Sequence, residues 1–333
     1  MANKVTIYDV ATAAGVSIST VSLALNTPER VSAATRDKVL VAADELGFVP
    51  KADAVTRARR GVGRIGVIAP FSSYPSFARR LNGVFSALRE EALEVVVFDQ
   101  QSAATASSPL LASLPITRRL DGLIIMALPL DEEIAERLKR QRLPVVLVDA
   151  PRPDFDCVSI DNSSGGELVA QHLLARGHRR FGFVGEWQQS HAYVSPSERR
   201  LSGFRQALAT HGVSLPDDSV RLVSHGVDEA CAAAGDLLAG PTAPTAVFAY
   251  DDILASGVLR AARERGLSVP DDLAVVGFDD SDLALALELT TVRAQFEESG
   301  RLGARAMLDL LQNSSGGGRH TVLRVELVVR ATT

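Results

Sequence analysis

Hydrophobic and polar positions divide the chain into two unlike parts. Up to about residue 48, apolar positions recur three and four apart: Ile7, Val10 and Ala11, then Val21, Ala24 and Leu25, then Val39, Ala42, Ala43 and Leu46. That period predicts three short amphipathic helices. The start and stop signals agree with it. Thr6 precedes the first helix with Asp9 three positions on, in the manner of a capping box, and Gly15 interrupts the pattern. Ser17 and Ser32 stand where the second and third helices need N-caps, and Gly47 stands where the third should end.

From residue 64 the pattern changes. Continuous apolar runs at 64–70, 94–99, 121–126, 144–149, 158–161, 180–185, 245–250 and 273–279 alternate with helical segments near 76–91, 131–141, 163–176, 197–211, 227–239 and 252–265. Strands that are apolar throughout are buried on both faces, so the alternation predicts doubly wound, parallel α/β architecture. Ligands of such sheets gather at the carboxyl ends of the strands.

Charge sharpens this division. The chain of 333 residues carries a net −5, but residues 1–64 hold nine basic and six acidic side chains. A small basic head on an acidic body places any nucleic-acid contact in the head alone. Cys157 and Cys231 are too few and too far apart for a disulfide framework and fit a reducing compartment. The N-terminus has no apolar signal core and no run is long enough for a membrane span, so a cytoplasmic location is expected. The six histidines show no metal spacing, and no cofactor is expected. "GVGRIG" (61–66) has the glycine spacing of a dinucleotide loop, but it precedes a strand instead of following one. No nucleophile, base or metal set stands out, which argues against an enzyme.

Two short helices joined at a glycine, the second rich in hydroxyl side chains, form the helix-turn-helix pattern. Its second helix would enter a major groove, and Ser17, Ser19, Thr20 and Ser22 are donors suited to phosphate oxygens and base edges. On pattern alone, a three-helix bundle that docks on protein stays open.

"VTIYDVATAAGVSISTVSLALN" (5–26) closely resembles the head of the LacI/GalR (lactose-repressor-like) bacterial transcription regulators. The resemblance implies backbone contacts from Thr6, Tyr8, Ser17, Thr20, Ser22 and Asn26, and base reading by Ile18, Ser19 and Leu23. The family often has arginine at position 23, where Leu23 offers apolar contact only, so the operator should depart from the commonest consensus.

The resemblance runs nearly end to end, through "PVVLVD", "IDNSSGGELVAQHLLARGHRRFGFVG", "RLSGF", "VVGFDD" and "ELVVRATT". It implies two α/β lobes of the periplasmic-binding-protein type. The expected organisation is a head at 1–49, a hinge at 50–61 and a core at 62–333. Lobe one would take about 62–161 and 291–320, and lobe two about 162–290 and 321–333. Effector contacts would fall to Phe71, Ser76, Phe77, Asp149, Arg200, His225, Asp251 and Asp279. Asp251 replaces a usual asparagine, which disfavours an anionic ligand unless a cation is near. By spacing alone, Glu198, Arg199 and Arg200 would be a solvated helix face, and Trp187 would overhang the cleft or cover a lobe. The ligand class implied is a sugar or sugar derivative, with a nucleoside or purine second.

"PKADAVTRARRGVGR" (50–64) stands where this family has its hinge, a short helix that enters the minor groove. Lys51, Ala54 and Arg57 are its expected DNA contacts. Arg57 occupies the place of a usual leucine wedge, so insertion by charge is expected in place of kinking; the alternative is that Arg57 touches only phosphate and Val55 or Ala54 does the wedging. The reading that results is a homodimeric repressor on a near-palindromic operator, modulated by a small effector. The alternative is a cytosolic sugar-binding or sugar-processing protein whose head docks on protein.

Overall fold

The computed structural model describes residues 5–26, 28–46, 48, 63–100, 102, 120–188, 194–240, 242–312 and 318–333. The head contains helices α1 (Ile7–Ala14), α2 (Ile18–Asn26) and α3 (Ala33–Leu46), with a single 3-10 turn at Pro28–Arg30. The Asp9 carboxylate accepts from both the amide and the hydroxyl of Thr6, each at 2.7 Å, closing the start of α1. Gly15, at φ 65, ends α1 in the left-handed region that glycine enters without strain. Ser17 Oγ accepts from the Thr20 amide at 3.1 Å, and Ser32 Oγ accepts from the Thr35 amide at 3.2 Å, so both expected caps form. Between α1 and α2 the chain bends by 101°.

Val10, Val21, Ala24, Val39 and Leu40 make the head's core. Leu46 does not join it: it is 36% exposed. The reason is local. The Phe48 amide bonds back to Ala43 O at 2.9 Å, which turns the chain and buries Phe48 where Leu46 was expected.

Two six-stranded sheets carry the rest. The first joins β1 (Gly63–Ala69), β2 (Leu93–Asp99), β3 (Gly122–Met126), β4 (Val145–Val148), β5 (Asp156–Ile160) and β11 (His320–Leu323) in the order β11-β5-β4-β3-β1-β2. The second joins β6 (Phe181–Glu186), β7 (Val220–Val223), β8 (Ala246–Ala249), β9 (Ala274–Asp279), β10 (Thr290–Arg293) and β12 (Glu326–Val328) in the order β12-β10-β9-β8-β6-β7. Read from β2 and from β7, the two orders are the same doubly wound 2-1-3-4-5 arrangement. The switch point lies between β1 and β3 in one sheet and between β6 and β8 in the other. The β6, β8, β9 and β10 ladders are parallel, and β12 runs antiparallel along β10. Fully buried Ile65, Leu123 and Ile124 in one sheet, and Phe183, Phe248 and Val276 in the other, match strands covered on both faces.

The helices are α4 (Pro75–Leu88), α5 (Glu132–Arg140), α6 (Asn162–Ala175), α7 (Pro196–Thr210), α8 (Val227–Leu238), α9 (Asp252–Glu264), α10 (Asp282–Ala286) and α11 (Phe296–Gln312). Apolar periodicity did not single out β7, β10, α10 or the 17-residue α11.

By contact density the chain forms two compact units. One comprises 1–72, 84–157 and 301–319; the other comprises 73–83, 158–300 and 320–333. The boundaries differ from the expected 161/162 and 290/291 divisions, and the head falls within the first unit. The starts of α4 and α11 fall in the second unit together. Arg80 stacks over Phe296 at 4.2 Å, and a Cβ on Gly300 would lie 1.9 Å from Arg80 O. Backbones that close cluster together, so 73–83 and 291–300 share a unit.

Candidate effector site and nucleic-acid interface

In the head, Tyr8 is 65% and Ile18 40% exposed, and Ser17 and Ser19 are exposed beside them. Thr20, Ser22 and Leu23 are half-buried. Ser17 Oγ also meets Ser19 Oγ at 2.7 Å and Thr20 Oγ1 at 2.8 Å, a cluster of hydroxyls at the N-terminal end of α2. Helix N-termini favour anions. Thr6 spends its hydroxyl on Asp9, whose carboxyl is held below its usual range by that bond. Lys51, Ala54 and Arg57, and the side chain of Asn26, lie outside the described residues.

In the second unit, four of the expected effector residues form one network. Arg200 is buried, not on a solvated face. Its Nε donates to Asn162 Oδ1 at 2.8 Å and its Nη1 to Tyr250 O at 2.5 Å. Its guanidinium stacks on Phe278 at 3.4 Å and Tyr250 at 4.6 Å, and Nη2 stands 3.6 Å from Asp279 Oδ1. His225 Nε2 lies 2.5 Å from Asp251 Oδ2, whose Oδ1 caps α9 by accepting from the Leu254 amide at 2.8 Å. So Asp251 faces a partner that is a cation when protonated.

Three further residues belong to this network that the spacing did not reveal. Tyr74 donates to Glu186 Oε1 and sets its ring edge-on to His225 at 4.8 Å. Tyr250 lies edge-on to His225 at 6.3 Å. Glu186 ends β6, Tyr250 and Asp251 follow β8, and Asp279 ends β9: all stand at strand carboxyl ends around the switch point. That position is the one signal the sequence offers for them.

Phe77 is buried, edge-on to Tyr74 at 5.8 Å and under Arg80 at 4.9 Å, and Ser76 is half-buried in the same helix turn. Phe71 and Asp149 fall in the first unit. Phe71 is half-buried after β1, and Asp149 is buried after β4. Trp187 is 58% exposed and borders a groove with Glu186, Leu201, Arg205 and Leu222.

Backbone strain marks the same loci. Asp149 (φ 56), Asp279 (φ 109) and Asp280 (φ 51) occupy the left-handed region as non-glycine residues at strand ends. Asp280 is held by ion pairs to Arg330 at 2.5 Å and Arg293 at 2.6 Å. Asp252 is buried, accepts from the Ser281 amide and hydroxyl and from Thr291 Oγ1, and is raised by burial to about 6.

Burial also raises Glu186 and Asp279 above the ordinary carboxylate range, Asp279 despite the neighbouring Arg200. Asp279 Oδ1 receives no hydrogen bond from any described residue. For His225, burial opposes charging, but the Asp251 hydrogen bond and the charges of Asp251, Glu186 and Asp279 outweigh it and raise its pKa above 6.5. The stabilisation from protonated His225 is therefore complete below its unfolded pKa and is lost as pH rises through the higher folded value. The melting-temperature gap between wild type and His225→Gln should be widest near about pH 6 and narrow by about pH 9. Thermal melts across that range test it, and a gap independent of pH would contradict the assignment.

Among the described residues no group of three or more His, Cys, Asp or Glu is placed to hold a metal, and no single helix is long and apolar enough to cross a membrane.

Residues 6–51 match the family of bacterial regulatory proteins of lacI type, and residues 170–333 match the periplasmic binding protein-like domain. The chain is 31% identical to the HTH-type transcriptional regulator DegA of Bacillus subtilis, over 99% of this chain and 98% of that one. It is also 31% identical to the HTH-type transcriptional repressor CytR of Escherichia coli, over 98% of this chain and 96% of that one. Among solved structures, the transcriptional regulator CelR in complex with cellobiose aligns with a TM-score of 0.72 and 30% identity, over 99% of this chain and 100% of that one. The lac repressor dimer bound to operator and the anti-inducer ONPF aligns with a TM-score of 0.70 and 29% identity, over 99% of both chains. With helix-turn-helix head, paired doubly wound sheets and relatives similar along their whole length, the chain belongs to the lacI family of bacterial regulatory proteins.

Proposed function

We propose that this protein is a homodimeric repressor that binds a near-palindromic operator and responds to a neutral sugar or sugar derivative. It acts in the bacterial cytoplasm by binding, without turnover. The observation that carries the effector half is the buried Arg200–Asp279 pair with Asp279 Oδ1 left without a hydrogen bond. A ligand hydroxyl satisfies that oxygen, and the guanidinium and the His225–Asp251 pair offer further directed bonds. With Glu186 and Asp279 raised toward the neutral form and Arg200 and His225 beside the acids, the network offers directed donors and acceptors that suit the hydroxyls of a neutral ligand. The similar CelR structure holds cellobiose, which agrees with a neutral polyol. A nucleoside, stacked on Tyr74 or Tyr250, is the second class.

For DNA, the exposed hydroxyls at the start of α2, with Ile18 and Tyr8, supply the reading face. Lys51, Ala54 and Arg57 in the hinge add minor-groove contacts. Exposed Leu285 (60%) on α10 and Leu287 (39%) at its C-cap offer apolar surface suited to a partner copy. Two heads on a two-fold axis require two related half-sites.

Gel shifts on near-palindromic duplexes found beside its own gene test the DNA half. Failure to bind any of them at low salt, with or without sugars, would overturn it. Arg57→Leu should flatten the slope of log affinity against log salt by about one. A thermal-shift screen of neutral sugars and nucleosides tests the effector half, because a ligand that binds only the folded state raises the midpoint.

A further inference from the structure

Arg137 is an unusual residue for its place. It lies on α5 between Ile134 and Leu138, yet is only 3% exposed. Arginine is seldom buried so fully unless it is paired. Its Nη2 donates to Glu133 Oε1 at 3.4 Å, although Glu133 is itself 75% exposed. The closer partner comes from the head. Asp44, in the last turn of α3, sets Oδ2 3.2 Å from Arg137 Nε. The other Asp44 oxygen accepts from Gln141 Nε2 at 2.8 Å, at the C-cap of α5. Asp44 is itself 14% exposed, so the charges face each other out of bulk water. Head and first sheet belong to the same compact unit.

From this geometry we infer that Asp44, Arg137 and Gln141 form a joint that orients the DNA-binding head on the first unit. These are positioning residues: none lies on the exposed face formed by Tyr8, Ser17, Ile18 and Ser19. A carboxylate that faces a cation through one oxygen and accepts a hydrogen bond through the other, both from one helix and its cap, fixes a direction as well as a distance, which a single ion pair does not. Any change in the first unit that moves α5 then moves the head through this joint as well as through the hinge. The consequence for operator affinity rests on the proposed DNA binding; the existence of the joint does not.

Spin labels at Lys38→Cys and Arg140→Cys, both exposed positions, report the head's orientation; native Cys157 and Cys231 are buried and stay unlabelled. The otherwise unaltered full chain should give one narrow distance distribution. Asp44→Asn or Gln141→Ala should broaden it, Arg137→Gln more so, and the reversed pair Asp44→Arg with Arg137→Glu should narrow it again. Equal widths in all backgrounds would overturn the joint. On a duplex that the wild type binds, Asp44→Asn should weaken affinity about three- to tenfold, because the oriented head becomes a fraction of the population. An increase in affinity would overturn the orienting role. If the wild type binds no duplex, the repressor reading fails, and the distance distributions still decide whether the joint exists.

Discussion

Arg200→Ala should lower the stability of the protein by about 3–5 kcal/mol, because it removes one partner from a buried ionic network. Four losses combine. Asn162 Oδ1 and Tyr250 O lose their donors, Asp279 loses its cation, and the space against Phe278 opens. In a unit of this size that corresponds to a fall of roughly 10 °C in melting temperature. Arg200→Lys should recover only part of it, since an ammonium cannot bond to two acceptors while stacking between two rings. Urea unfolding of the three proteins measures the effect. A loss below about 1 kcal/mol for the alanine variant would mean that the network relaxes or hydrates freely. The same variant should also lose all response to the effector found by thermal shift, since Asp279 and Arg200 are its proposed anchors.

Gly203→Ala is expected to be nearly as severe, through packing alone. A Cβ at Gly203 would lie 2.0 Å from Ser163 O, and one at Gly166 would lie 2.1 Å from Arg200 O. Helices α6 and α7 therefore cross with their backbones in contact, each through the other's glycine. Backbone cannot swing aside as a side chain can, so a single methyl forces the helices apart, at about 3 kcal/mol. Asn162 rides on α6 and Arg200 on α7, so the separation also stretches the 2.8 Å bond between them. Effector affinity should fall together with stability. Gly240→Ala is the control: nothing lies within 4 Å of its Cβ, and its midpoint should barely move. Equal midpoints for both variants would show that α6 and α7 adjust without cost.

How much of this was legible beforehand follows the range of each interaction. The caps of α1, α2 and α3 are settled within three residues, so Thr6–Asp9, Ser17 and Ser32 could be read directly. Leu46 was misplaced because the turn that buries Phe48 depends on a bond back to Ala43. Continuous apolar runs located the central strands, but β7 is only half-buried along its edge and left no clear pattern. Arg200, His225, Asp251 and Asp279, the effector contacts expected from resemblance, are placed together by the fold. Tyr74 and Glu186, 112 positions apart, could not be paired from spacing.

The sequence alone determined the three helices of the head and the doubly wound α/β character of the rest, because these rest on local period and caps; its continuous motifs carried the family resemblance, and through it the two lobes. It also placed the acids and aromatics at strand carboxyl ends. Only the tertiary structure decided that Arg200 is buried, that Asp251 is matched by His225, and that Asp279 keeps an oxygen without a donor. The physical reason is that the charge and bonding capacity of a side chain depend on desolvation and on partners brought from distant segments. A linear spacing records neither.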